Sequence, residues 1–179
     1  LDVQTNFNNS LMDNKILLNN LNDKIKSQLT LKFKTEDIEF MKTKFFRENF
    51  SNLSIDNSNT YIQKKLKNYR LVVFNYDSTG ILELLSGNVP FIAFWRNKMN
   101  YVNEDSKKHY EIMFSNGIFH NNLESAAELI NKIWDNVDDW WNSPKIIKAK
   151  QQFGKNYSRQ SKNIPRDLLK KIDTHINGY

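Results

Sequence analysis

The sequence predicts an α/β domain built on a parallel sheet, with an end made of helices alone. Three observations carry that prediction. Two short apolar runs, Leu71-Val72-Val73-Phe74 and Pro90 to Trp95, read as strands covered on both faces. Helical stretches separate and follow them, so strands and helices alternate through the middle of the chain. From Asn121 onward apolar residues recur at helical spacing only.

Each element has its own signal. Leu11, Ile16 or Leu17, Leu21, Ile25 and Leu29 recur every turn, predicting one amphipathic helix over roughly residues 10–28; the many asparagines lower its propensity and blur its start. Leu29-Thr30-Leu31-Lys32-Phe33 alternates apolar with polar, a short strand. Thr35-Glu36-Asp37 opens a helical stretch carrying Ile38, Met41, Phe45 and Phe46, and Leu53-Ser54-Ile55 is a short strand within a loop. Thr60 to Lys67 reads as helix, Arg70 to Asn75 as strand, and Asp77-Ser78-Thr79-Gly80 as a turn. Ile81 to Ser86 is a short helix closed by Gly87, and Pro90 to Trp95 a strand. Residues 105–116 form a helix stopped by Gly117, before a last short strand at Ile118-Phe119. Asn121 and Glu124 have capping-box spacing ahead of Leu123, Ala127, Ile130 and Trp134. Ser143-Pro144 opens a helix with Ile146, Lys150, Phe153 and Tyr157 on one face, and Pro165 a final one with Leu168, Leu169, Ile172 and Ile176. The organisation that follows is a helical segment over 1–28, an α/β unit over 29–142, and C-terminal helices over 143–179.

Composition removes several classes of function. With 179 residues, the chain is long enough for one domain with a sizeable core and needs no staple. It holds 12 Phe, 7 Tyr and 4 Trp, too many for a disordered tail. No apolar run approaches the ~20 residues of a spanning helix. Zero cysteines exclude disulfides, Cys-based zinc sites and thiol chemistry, and suit a reducing cytoplasm. His109, His120 and His175 lack metal-ligand spacing, so no metal is expected. The net charge of +6 favours anionic partners, although lysines occur nearly throughout, usually near an acid, and no long basic block stands out. Leu1 in place of Met leads us to expect a fragment of something longer.

Chemistry concentrates in Arg70 to Trp95. There a buried strand ends, a Ser-Thr-Gly turn follows and a helix begins at once. Parallel sheets bind ligands outside the carboxyl ends of their strands, and helix N-termini present unpaired N–H groups to anions. Ser78 and Thr79 add hydroxyls, and Gly80 permits close backbone approach. Structural capping explains the same residues equally simply. Glu83 stands alone among Ile81, Leu82, Leu84 and Leu85: it either meets ribose hydroxyls or lies on an exposed stripe. Trp134, Trp140 and Trp141 read as packing anchors, and the adjacent Asp138-Asp139 as acids at a helix start.

These residues carry a resemblance. NYDSTGILELLSGNVPFIAFW, with its Ser-Thr turn, Leu-Glu, Asn-x-Pro and apolar strand ending in Phe-Trp, resembles the leptospiral-type transferases of bacterial surface-polysaccharide loci. More broadly it is similar to the nucleotide-binding half of GT-B glycosyltransferases. SNGIFHNNLESAAELINKIWDNVDDWWNSPKIIKAKQQFGKNYSR continues the likeness through a Gly-Ile-x-His segment, a Trp-Trp pair and a Ser-Pro helix, so that it covers about residues 70–160. Several spaced motifs in order are more specific than any one alone. The early strand departs from the family: Leu31-Lys32-Phe33-Lys34 replaces its arginine and no Gly-Trp follows, so charge is kept without the bidentate fork.

The resemblance implies a Rossmann-like three-layer domain, one half of a GT-B fold, that holds a nucleotide-sugar without a metal or cofactor. Ser78, Thr79 and Gly80 would hold donor phosphate and Glu83 the ribose, with Asn75, Tyr76 and Asp77 lining the same crevice. His120 matches the family's histidine near the donor, with an exposed loop histidine as the plain alternative; Arg96 would meet a phosphate or a sugar carboxylate, or face solvent. The glycan or lipid-linked acceptor would sit on a preceding domain, leaving this chain inactive alone. A cytoplasmic protein with peripheral contact to the inner membrane, and no nucleic-acid partner, follows. Competing readings are a polyol-phosphate transferase using a cytidine nucleotide, a sugar-nucleotide epimerase, or a basic non-enzymatic module for nucleic acid or membrane.

Overall fold

The computed structural model describes residues 3–32, 38–50, 53–56, 58, 60, 64–75, 78–94 and 102–158. β3 (Val72–Phe74), β4 (Phe91–Phe94) and β5 (Phe119–His120) form a parallel sheet in the order β3-β4-β5. Val72 pairs with Phe91, Phe74 with Ala93, and Phe94 with His120. β1 (Thr30–Lys32) and β2 (Ser54–Asp56) form a second parallel pair with Lys32 directly opposite Asp56. The expected Rossmann-like α/β arrangement is the one the chain adopts.

The central strand shows why there are three layers. Side chains alternate across a strand, and all four residues of β4 are buried. Phe91 and Ala93 join Phe74, Met113, Phe119 and Phe153 on one face of the sheet. That layer is built by α4 (Thr79–Ser86), α5 (Glu104–Ser115) and α8 (Pro144–Tyr157). Ile92 and Phe94 join Leu17, Leu21, Ile25, Ala127 and Ile130 on the other, under α1 (Val3–Asn20), α2 (Asp23–Lys26) and α6 (Leu123–Ile133). α7 (Val137–Trp141) sends Trp141 to the first layer and Val137 to the second. The tryptophan expectation holds at Trp141, which is 1% exposed and T-stacked on Phe91 at 5.3 Å. Its indole N–H donates to the Asn88 carbonyl and side-chain oxygens, 3.0 and 3.1 Å away.

Several boundaries moved, each for a local reason. The first helix starts at Val3 and breaks at Leu21-Asn22 instead of running to residue 28. There Asn131 intervenes: its side-chain oxygen accepts from the Asn22 N–H at 2.9 Å, and its amide donates to the Asn20 carbonyl at 2.8 Å. α3 (Ile38–Asn49) falls where expected. Residues 61–63 of the helix expected over Thr60 to Lys67 lie outside the described residues, and its described end is a 3-10 turn at Leu66–Asn68. The cap of α6 is Asn122, not Asn121, because β5 runs on through His120; the Asn122 side chain accepts from the Ser125 N–H at 3.0 Å. Gly117 ends α5 with φ 73°, a conformation that favours glycine. Pro144 opens α8 as predicted, and the acids Asp138 and Asp139 sit in the first turn of α7. The helix expected after Pro165 lies outside the described residues. Among the described residues, no helix is long and apolar enough to cross a membrane.

Candidate functional site

β3, β4 and β5 are parallel, so Asn75, Phe94 and His120 mark one edge of the sheet, the edge where such folds bind ligands. α4 begins there. Ser78 is its N-cap, extended at φ −144° and ψ 143°, and its hydroxyl oxygen accepts from the Gly80 N–H at 3.1 Å. Capping is therefore one function of Ser78. A hydroxyl has one proton and two lone pairs, so accepting from Gly80 leaves its O–H available as a donor.

Gly80 seats the helix on the strand. A Cβ there would lie 3.2 Å from Cε1 and Cζ of Phe74 and 3.3 Å from the Ser78 hydroxyl oxygen. α4 has no acid in its first turn, so the partial positive charge of its N-terminus is not offset there. Thr79 and Glu83 are both exposed and stand one helical turn apart on the same face. Glu83 is exposed, as either reading of it requires if the ligand arrives from solvent.

Two other expected residues are engaged by protein partners. Asn75 donates from its side-chain amide to the Asn14 side-chain oxygen at 3.2 Å, which brings α1 to this edge. His120 is buried at the end of β5, not exposed on a loop. Its Nε2 lies 3.0 Å from the Gly117 carbonyl oxygen, which can only accept, so Nε2 carries the proton. Nδ1 lies 2.9 Å from the Ser125 hydroxyl oxygen, whose single proton is also within reach of the Asn122 carbonyl at 2.9 Å. Burial pushes its pKa below the ordinary 6.5, against the opposing pull of the Gly117 carbonyl, so the ring is neutral near pH 7. Tyr76, Asp77 and Arg96 lie outside the described residues.

A cluster missed in the sequence lies at the ends of β1 and β2. The Asp56 carboxylate accepts from Lys65 at 2.7 Å and Lys32 at 3.4 Å, and from the Ser58 N–H at 2.9 Å. Lys65 and Lys32 also donate to the hydroxyl and carbonyl oxygens of Ser58, both at 2.8 Å. Lys65 first, then Ser58, then Lys32 hold the Asp56 carboxyl well below the usual carboxylate range, against a smaller desolvation effect. Aligning the two predicted strands in parallel would have paired Lys32 with Asp56; the contact of Asn14 with Asn75 had no such local signal.

The site thus offers a capped helix end with no acid in its first turn at a sheet edge, with a hydroxyl and a carboxylate one turn apart beside it. Among curated proteins, and among solved structures, none matches the chain significantly. A family model described as LIC12162 family transferase matches residues 1–172. The motif order read between residues 70 and 160 falls within that span, and the chain belongs to this family of transferases.

Proposed function

We propose that this chain is the donor-binding half of a GT-B-type glycosyltransferase, holding a nucleotide-sugar whose sugar passes to a surface-glycan or lipid-linked acceptor on the cytoplasmic side of the membrane. The observation that carries the reading is the Ser78-capped N-terminus of α4 at the carboxyl edge of β3. Family membership supports group transfer as the reaction class. On this reading the Thr79 and Ser78 hydroxyls and the helix-end amides hold the donor diphosphate. As the bond from the anomeric carbon to phosphate breaks, they stabilise the charge gathering on the leaving oxygen. Glu83, one turn on, accepts from the ribose hydroxyls. His120, neutral and held by Ser125 and Gly117, shapes the far end of the edge. The acceptor and the catalytic base belong to a preceding domain.

Titration calorimetry against CMP, CDP, UDP, GDP and a short oligonucleotide tests the reading. Saturable binding of one nucleotide is expected, weakened about tenfold by Thr79→Ala or by Glu83→Ala, the loss of one hydrogen bond to a charged or polyhydroxyl partner. No response to any nucleotide, or binding unchanged by both variants, overturns it.

A further inference from the structure

The +6 charge of the chain is not shared evenly, although no single run carries it. Residues 144–179 hold nine Lys and Arg against two Asp, a net +7, while residues 1–143 hold 17 basic and 18 acidic side chains. The excess begins at α8, which has four lysines and no acid in 14 residues.

Three of those lysines share one direction. At 100° per residue Lys145, Lys148 and Lys155 fall within an arc of about 80°, and all three are exposed. The fourth, Lys150, is turned away and occupied: it donates to the Asn88 side-chain oxygen and the Trp141 carbonyl, each at 2.9 Å, and lies 4.0 Å above the Trp141 ring. Lys145 and Lys148 border an open groove of about 480 Å³ between α5 and α8, and Lys108 faces them from α5. Glu111 is the one acid lining that groove. Ile147, on the same helix, is one of two large apolar side chains exposed among the described residues.

We propose that the α5–α8 face docks this chain on an anionic phospholipid surface. A bilayer presents diffuse negative charge at no fixed geometry, which suits flexible ammonium groups better than the planar fork of arginine. α8 has no arginine, and among the described residues this face exposes no aromatic ring on which bases could stack, so nucleic acid fits it less well. Ile147 lies about 120° around α8 from the middle of the lysine arc and is not part of this face. The rest of the chain, near neutral, does not compete for the surface, so docking has one orientation. The proposal does not depend on which nucleotide, if any, the β3–α4 turn binds.

Co-sedimentation of the full chain with vesicles tests it. Binding to mixed phosphatidylglycerol–phosphatidylcholine vesicles is expected, with little to phosphatidylcholine alone and a steep loss on adding salt. Each lysine near such a surface contributes about fivefold to partitioning, so Lys145→Gln with Lys148→Gln weakens it about 25-fold. Both side chains are exposed, so circular dichroism and the melting temperature stay unchanged. Lys24→Gln with Lys132→Gln removes the same charge from α2 and α6, in the layer across the sheet from α8, and changes binding less than twofold. Equal loss in the two double variants, equal binding to both vesicle types, or tight oligonucleotide binding with none to vesicles overturns the proposal.

Discussion

Ser78 caps α4 and, on the proposed reading, also faces the donor phosphate; two substitutions pull these roles apart. Ser78→Ala removes the acceptor that holds the Gly80 N–H at 3.1 Å. Loss of such a cap costs about 1 kcal/mol, which in a chain of this size lowers the melting temperature by about 2–4 °C. Ser78→Asp keeps the cap, because aspartate and serine serve about equally well at an extended N-cap. A carboxylate at the positive end of α4 adds about 0.3–1 kcal/mol, so the variant melts at or slightly above the parent temperature. Toward an anion the same change is severe. Two unit charges about 4 Å apart repel by about 4 kcal/mol at an effective dielectric constant of 20, and screening at this partly exposed turn brings that to about 2–4 kcal/mol. Nucleotide affinity should therefore fall by about thirtyfold to a thousandfold while the fold is intact. Differential scanning calorimetry and titration calorimetry on the same preparations read both quantities. If Ser78→Asp bound nucleotide as the parent does, the turn would not be the anion site. If it were destabilised as much as Ser78→Ala, the capping argument would fail.

Two further perturbations test the framework around the site. The neutral His120 resists protonation in the folded chain, whereas unfolded it takes a proton near pH 6.5. Its contribution to stability is complete above that pH and is lost as the pH falls toward its lowered folded value. The melting temperature should thus drop between pH 7 and 5.5, and the drop should shrink in His120→Gln; an unchanged slope would refute this. Asn88 adopts φ 51° and accepts from Trp141 and Lys150. Asn88→Gly loses the side-chain acceptor and should lower the melting temperature by about 2–4 °C, whereas Asn88→Ala adds the cost of a left-handed backbone, for about 4–8 °C in all. Equal losses in thermal melts would show that backbone strain plays no part.

What was legible in the chain follows from how far apart the interacting residues lie. The apolar runs at Leu71–Phe74 and Pro90–Trp95 became β3 and β4 because burial on both faces needs nothing but a local run of apolar side chains. Gly117 and Pro144 ended and opened helices through constraints of their own backbones. The errors lie where a distant residue decides. α1 breaks at Asn22 because Asn131, 109 residues on, accepts its N–H. For His120 only the plain alternative, an exposed loop ring, fails: the ring is buried beside Gly117 and Ser125 where β5 pairs with β4.

The candidate site divides along the same line. On the proposed reading its anion-facing part is Ser78, Thr79, Gly80 and Glu83, whose geometry is set within two turns of one helix, so sequence spacing suffices to bring them together. Its walls are different. Asn14 reaches Asn75 across 61 residues. The Lys32–Asp56 pair of the second sheet likewise forms only through the parallel pairing of β1 with β2. A helix-end anion site without specific walls accepts any phosphate, since backbone amides and hydroxyls do not distinguish one ester from another. Discrimination among nucleotides must come from side chains supplied by other elements. On the proposed reading, the residues that hold the anion are therefore the ones spacing can find, and those that choose the ligand are the ones it cannot.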